Sequence, residues 1–451
     1  MKSSENPLGS EPVSTLLRRF AVPSVIAMLV SALYNMVDQL FIGHSIGVLG
    51  NAATNVAFPL SMVCTSIGLL CGIGGAANFN LCMGRREPEH AKSYVGSAIS
   101  MLAILGVILC VAVQLFLRPM MLLFGATPDV IDYACTYTRI TSIGFPFLIV
   151  TIGGSNLIRA DGSPKFSMLC NLVGAIVNTI LDPLFIFVFH MDVQGAALAT
   201  VISQAVSAAF VLRFLTGRQT ILHLKRRLLR LNWKLLAPCV ALGLAPFIMQ
   251  STESLVSVCF NTSLRAAGGT LAVGTMTICS TLMQFALLPL QGLSQGAQPI
   301  ISFNYGAKRP ERVKAAFRIL LISCLAFSAV LGLTCIFAPQ IFVYLLTPDA
   351  ALREYAIPCV RLYMAGVTIF GAQIACQQTF VALGNAKCSL FLACLRKLIL
   401  LIPLVYLLPL FIPDTVFAIF LAEPIADVLA VLCTVTLFMH VFRKTMRGIA
   451  A

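Results

Sequence analysis

The chain has 451 residues, 59% of them hydrophobic and only 11% charged, with a mean hydropathy of +0.93. No soluble core needs that much apolar surface, and repeated apolar runs of about 20 residues or more, rising about 1.5 Å per residue, each suffice to cross the hydrocarbon. The composition therefore describes a polytopic helical membrane protein and excludes a β-barrel, whose strands alternate over about ten residues; the net charge of +14 does not signal nucleic acid, because the basic residues sit in short loops between the runs.

Residues 1–17 are largely polar and lead through Arg18-Arg19 into an apolar segment with no small-residue cleavage site. This predicts a cytoplasmic tail and an uncleaved first span, with the double arginine as a cytoplasmic flank rather than an export signal. Apolar runs then lie near 20–43, 52–82, 93–116, 132–158, 166–189 and 195–216. A basic linker follows, Gly217 to Lys234, and six further runs lie near 237–264, 271–303, 315–338, 355–382, 388–411 and 415–441. The prediction is all-α with twelve transmembrane helices: an N-terminal six-helix bundle over 18–216, a linker over 217–236, a C-terminal bundle over 237–441 and a tail over 442–451. Pro23, Pro59, Pro146 and Pro246 fall inside runs as kink candidates. The sixteen cysteines are scattered through the runs without metal or redox spacing and read as small hydrophobes.

Even-numbered connections carry Arg85, Arg86, Lys92, Arg159, Lys165, Arg218, Lys225, Arg226, Arg227, Arg230, Lys234, Lys308, Arg309, Arg312, Lys314 and Lys387, whereas odd-numbered ones carry little beyond Arg118, Arg265 and Arg353. With Lys2, Arg18 and Arg19 before the first span and Arg443, Lys444 and Arg447 at the end of the last, both termini fall on the cytoplasmic side of the cell inner membrane.

The halves are copies. Pro88-Glu89 with Lys92 recurs as Pro310-Glu311 with Lys314; Asp132-Tyr133-Ala134 and Arg139 as Glu354-Tyr355-Ala356 and Arg361; Ala160, Gly162, Lys165 and Ser167 as Ala382, Gly384, Lys387 and Ser389, all displaced by 222 positions. Two bundles of the same orientation, related by a pseudo-two-fold axis along the membrane normal, are the parallel-repeat plan of a transporter. Near the same offset Asp38 corresponds to Asn261, so titrating chemistry is expected in the first bundle.

Asp38 sits deep in the first apolar run, where an acid costs several kcal/mol and is usually kept for a proton, an ion or a cationic ligand; its structural alternative is a neutral packing carboxyl. Ser31, Asn35 and Asp38 share one helical face. In the fifth run Asn171, Asn178 and Asp182 share another, and Thr200, Ser203, Gln204 and Ser207 form a polar stripe in the sixth, where interhelical hydrogen bonding is the competing use. Two carboxylates in one low-dielectric pocket resist joint ionisation, so such a pair retains a proton.

Tyr34-Asn35-Met36-Val37-Asp38 with Gly43, the Asn178 to Asp182-Pro183-Leu184-Phe185 segment, and Gln298-Pro299-Ile300 to Asn304-Tyr305-Gly306-Ala307 together resemble the multidrug and toxic compound extrusion (MATE) family, in its bacterial short-loop branch. The resemblance covers essentially the whole chain. It implies a twelve-helix, V-shaped exporter of organic cations, driven by inward flow of protons or sodium. It further implies a coupling site on Asp38, Asp182, Asn178 and Thr200, with Asp38, Asn35, Asp182, Asn156, Glu253 and Gln298 as substrate-binding candidates. For Asn156 and Gln298, packing hydrogen bonds are the competing use. Some members place an acid at the position of Glu253 with an acidic partner in the tenth helix; the tenth run here has no Asp or Glu, which puts that second-bundle sodium site in doubt.

Glu423 and Asp427, spaced i, i+4, face Arg396 or Lys397 as a structural charge network. Met249, Met276, Met283 and Phe285, with Phe145 and Phe147 on either side of Pro146, belong either to a greasy drug surface or to ordinary packing. The expected function is a secondary multidrug exporter working by cation-coupled antiport, with a flippase for a lipid-linked saccharide as the alternative; that cargo would need basic cavity residues. The expected partners are organic cations and membrane lipid, with a monomer and no nucleic acid. Enzyme, cofactor and metal are not expected, since the sequence shows no nucleophile motif, phosphate loop or metal spacing.

Overall fold

The structure, a computed structural model, describes residues 6–45, 48–217, 220–222, 224, 226–229 and 231–450. Of the basic residues that set the expected orientation, Lys2, Arg218, Lys225 and Arg230 lie outside the described residues. Apolar runs this long fold as helices because in lipid only the helix satisfies its own backbone. The first six spans are α1 (Val13–Ser45), α2 (Val48–Gly84), α3 (Pro88–Leu115), α4 (Ile131–Ala160), α5 (Pro164–Pro183, continued by a π turn over Leu184–Val188) and α6 (Asp192–Thr216). Then comes a single 74-residue stretch, Trp233–Gly306, broken at Gly269, whose φ of 64° and ψ of −149° are open to glycine. That break divides it into α7 (233–268) and α8 (270–306). The remaining spans are α9 (Pro310–Phe337), α10 (Ala350–Tyr363 and Val367–Ala382, bent by 45°), α11 (Ala386–Cys394, followed by a π turn over Leu395–Leu401) and α12 (Thr415–Ala450). Among the described residues this gives twelve spans.

The chain forms two compact units, Val22–Gln250 and Met1–Ala21 with Ser251–Ala451. Their boundaries lie inside α1 and α7, so each unit contains the opening turns of the other repeat's first span. Glycines permit this. A Cβ on Gly74 of α2 would lie 1.9 Å from the Cys239 carbonyl oxygen of α7, and one on Gly296 of α8 would lie 2.5 Å from Ala21 Cα of α1. Positions 74 and 296 are 222 apart, so both repeats use the same helix-to-helix close approach.

The Val22–Gln250 unit packs around Leu60, Phe79, Leu102, Met121, Ile149 and Val211, and includes Leu222 of the linker. The other unit packs around Phe260, Met276, Met283, Val360 and Phe420, so those methionines serve its core, as Phe145 serves the first. A short helix, Pro7–Ser10, precedes α1, and the turn from α8 to α9 holds it. Asn304 Nδ2 donates to the Leu8 carbonyl at 3.0 Å, Arg309 to Gly9 at 2.5 Å, and Arg312 to Leu8 and Glu11 at 3.1 and 2.6 Å.

Candidate functional site

The acids of α1 and α5 meet inside the Val22–Gln250 unit. Asp38 is 9% exposed and Asp182 fully buried, and their side chains are in hydrogen-bond contact. Ionised carboxylates only accept, so this contact carries one shared proton. Asn178, one turn before Asp182, donates its amide to Asp182 Oδ1 at 3.2 Å. Asp38 Oδ1 and Asp182 Oδ2 have no hydrogen-bond partner, which leaves one open acceptor on each acid.

Packing of α5 on α6 sets the third side. A Cβ on Gly174 would fall 2.1 Å from Ser207 Oγ, whose hydroxyl donates to the Cys170 carbonyl at 3.0 Å. Antiparallel helices this close bring Thr200, about two turns before Ser207, alongside Asp182. Thr200 donates to the Ala196 carbonyl at 2.9 Å and is hydrogen-bonded by Tyr137 of α4. Tyr34, one turn before Asp38, and Tyr137 both lie within electrostatic reach of the two acids. The cluster is thus Tyr34, Asp38, Tyr137, Asn178, Asp182 and Thr200, two acids among neutral donors.

Other polar candidates lie elsewhere. Asn35 is exposed on α1. Asn156 is buried and spends its amide on the Ile152 carbonyl at 2.9 Å and its oxygen on Arg159 at 2.6 Å, so it packs α4 rather than joining the acid pair. Gln298 is buried in α8 within the other unit. Glu253 of α7 is paired with Lys397. Beside that pair Arg396 reaches Glu423 at 2.6 Å and Asp427 at 2.7 Å and stacks over Phe370 at 4.3 Å. The basic partners stand in the π turn of α11, where both consecutive residues are buried.

A family model, MatE, matches residues 23–184 and 245–407. The chain belongs to the MATE family. The two matched stretches begin 222 positions apart, the displacement that relates the repeats. It is a multi-pass membrane protein, with 25% identity over 417 residues to the multidrug export protein MepA of Staphylococcus haemolyticus (strain JCSC1435), covering 92% of this chain and 91% of that one. Among solved structures it is similar to the MATE multidrug transporter DinF-BH, at 32% identity, a TM-score of 0.89 and 98% coverage of both chains. Its fold also matches an outward-facing multidrug resistance MATE family transporter of the MOP superfamily, with a TM-score of 0.91, 20% identity, and 99% and 98% coverage.

In this MATE transporter the residue that sequence reasoning missed is Tyr137. A signal for it exists in hindsight: Tyr137, Thr141 and Gly144 follow i, i+4, i+7, a polar and small stripe on α4. That stripe packs on α6, where a Cβ on Gly144 would lie 2.3 Å from Gln204 Oε1.

Proposed function

We propose that this chain is a secondary multidrug exporter of the cell inner membrane, with both termini cytoplasmic, that carries lipophilic organic cations outward in exchange for protons. The observation that carries this reading is the contact between Asp38 and Asp182 in a buried pocket whose other members are neutral. With its proton the pair has lost one of its two negative charges; without it, two adjacent carboxylates favour a cation. Proton and cargo then compete for one site, which is antiport expressed as linkage. Among the described residues no basic side chain hydrogen-bonds either acid, which favours a cation over a pyrophosphate-linked sugar.

Dye transport in everted vesicles, with pH and sodium gradients imposed separately, tests this. Uphill movement driven by the pH gradient alone is the expected result. Uphill movement driven only by sodium overturns proton coupling, and movement driven by neither overturns antiport.

A further inference from the structure

The two repeats part company beside the turn that joins α4 to α5 and α10 to α11. At this turn Gly162 and Gly384, 222 apart, both adopt positive φ, 99° and 79°. In the first repeat the space beside the turn is filled by the chain itself. Gly217 caps α6, and the chain folds back so that Thr220 and Leu222 are buried and Asp161 accepts the Ile221 N–H at 3.0 Å. In the second repeat the position of Gly217 is Met439, and α12 runs on as helix to Ala450. The position of Asp161 is Leu383, so the anchor of that strap is missing as well.

What stands there instead is a cavity of about 410 Å³, lined by Tyr305, Phe380, Leu383, Asn385, Lys387 and Thr445 among others. Its volume lies within the range of about 300–1,000 Å³ typical of small-molecule sites. Leu383 and the half-buried Val441 give it apolar surface, with Phe380 packed behind them. Lys387 is exposed and has no ion pair among the described residues, and no carboxylate lines the cavity. Donors remain to spare. The Asn385 oxygen is used in capping the Cys388 N–H at 3.2 Å, and among the described residues neither its NH2 nor the Tyr305 hydroxyl makes a hydrogen bond. Thr445, by contrast, donates to the Val441 carbonyl at 2.9 Å and can only accept. Arg443, Lys444 and Arg447 follow in the last turns of α12.

We infer that this cavity binds the phosphate of a lipid headgroup, that of an anionic phospholipid, with Lys387, Asn385 and Tyr305 on the phosphate and the glycerol and first methylenes against Leu383 and Val441. A cavity at the end of membrane-spanning helices opens at headgroup level, where juxtamembrane lysines and arginines attract anionic lipid. The occupied counterpart in the first repeat, where Leu222 and hydrogen-bonding groups of the strap fill the equivalent space, shows the mixture of apolar and polar contact that such a position accepts. This site is separate from the acid pair and stands whatever the cargo.

Native mass spectrometry of the delipidated full chain in detergent tests it, with titration by dioleoylphosphatidylglycerol, dioleoylphosphatidylcholine and inorganic phosphate. One phosphatidylglycerol is expected to be retained, and Lys387→Glu to weaken its binding about tenfold or more, the effect of losing one charged contact. Thr445→Trp, which fills the cavity, is expected to displace the same lipid, with both variants keeping the thermal unfolding midpoint of the unaltered protein. Retention unchanged in both variants overturns the inference. Displacement of the lipid by equimolar inorganic phosphate overturns its assignment to lipid in favour of a free anion.

Discussion

Replacing Asp38 by asparagine isolates the proton that the acid pair shares. Asparagine is nearly the same size and places an N–H2 where that proton sits, so it can still donate to the Asp182 carboxylate across the contact the two acids now make. The hydrogen bond survives while the exchangeable proton is gone. Exchange of one proton for one monovalent cation moves no net charge, so membrane voltage drops out and each pH unit supplies about 1.4 kcal/mol, roughly tenfold accumulation. In proteoliposomes held at a difference of about one pH unit, the unaltered protein is expected to build about a tenfold gradient of a cationic dye, and Asp38→Asn to level off near equal concentrations. The assay is the plateau of dye fluorescence, read before and after the pH gradient is collapsed. A tenfold plateau in Asp38→Asn, lost on collapse, refutes the assignment of the coupling proton to this pair.

Arg396→Met strands Glu423 and Asp427 inside the second unit, each already with one oxygen unpartnered, and breaking a buried pair costs about 3–5 kcal/mol. Thermal unfolding in detergent should fall sharply for this variant and recover when Glu423→Gln and Asp427→Asn are added; no recovery means that packing against Phe370 dominates. Gly74→Ala, with its Cβ 1.9 Å from a backbone oxygen, is expected to lower the unfolding midpoint, whereas Gly448→Ala, with nothing within 4 Å, leaves it unchanged in the same measurement. Asp161 lies outside the spans, and burial pushes its carboxyl from the ordinary 3.8 up to about 7, against the pull of its hydrogen bonds to Thr220, Ile221 and Leu222. A docked value above the free one means that the docked strap binds the proton more tightly, so docking is firmest below about pH 4 and weakens as pH rises toward 7. Hydrogen exchange at Ile221 and Leu222, corrected for intrinsic rates, should show protection falling across that window, and Asp161→Asn should flatten the change.

Spans, repeats and the acidic residues were legible because they leave periodic or compositional marks. A carboxylate in an apolar run stands out whatever surrounds it, and Glu423 with Asp427 at i, i+4 against Arg396 needed only helical geometry. Glu253 was visible as a buried acid, but its partner Lys397 was not, since pairing across helices depends on rotation about axes that spacing leaves open. Tyr137 was missed because a tyrosine near the start of a span reads equally well as an interfacial aromatic. The docking of Pro7–Ser10 was hidden for a further reason: Arg309 and Arg312 look like ordinary basic flanks until backbone carbonyls are found in front of them.

The reciprocal exchange of opening turns between the repeats fixes the order in which the protein can be completed during synthesis. Residues 13–21 are made before the rest of the first repeat, yet the surface that receives them, around Gly296, is translated some 275 residues later. The ribosome therefore releases an N-terminal helix whose first turns must wait, while the Val22–Gln250 unit cannot close until Cys239 has been made. Neither half, expressed alone, can reproduce the packing it has in the whole, so separated halves of this transporter should reach their native state only when both are inserted into the same membrane.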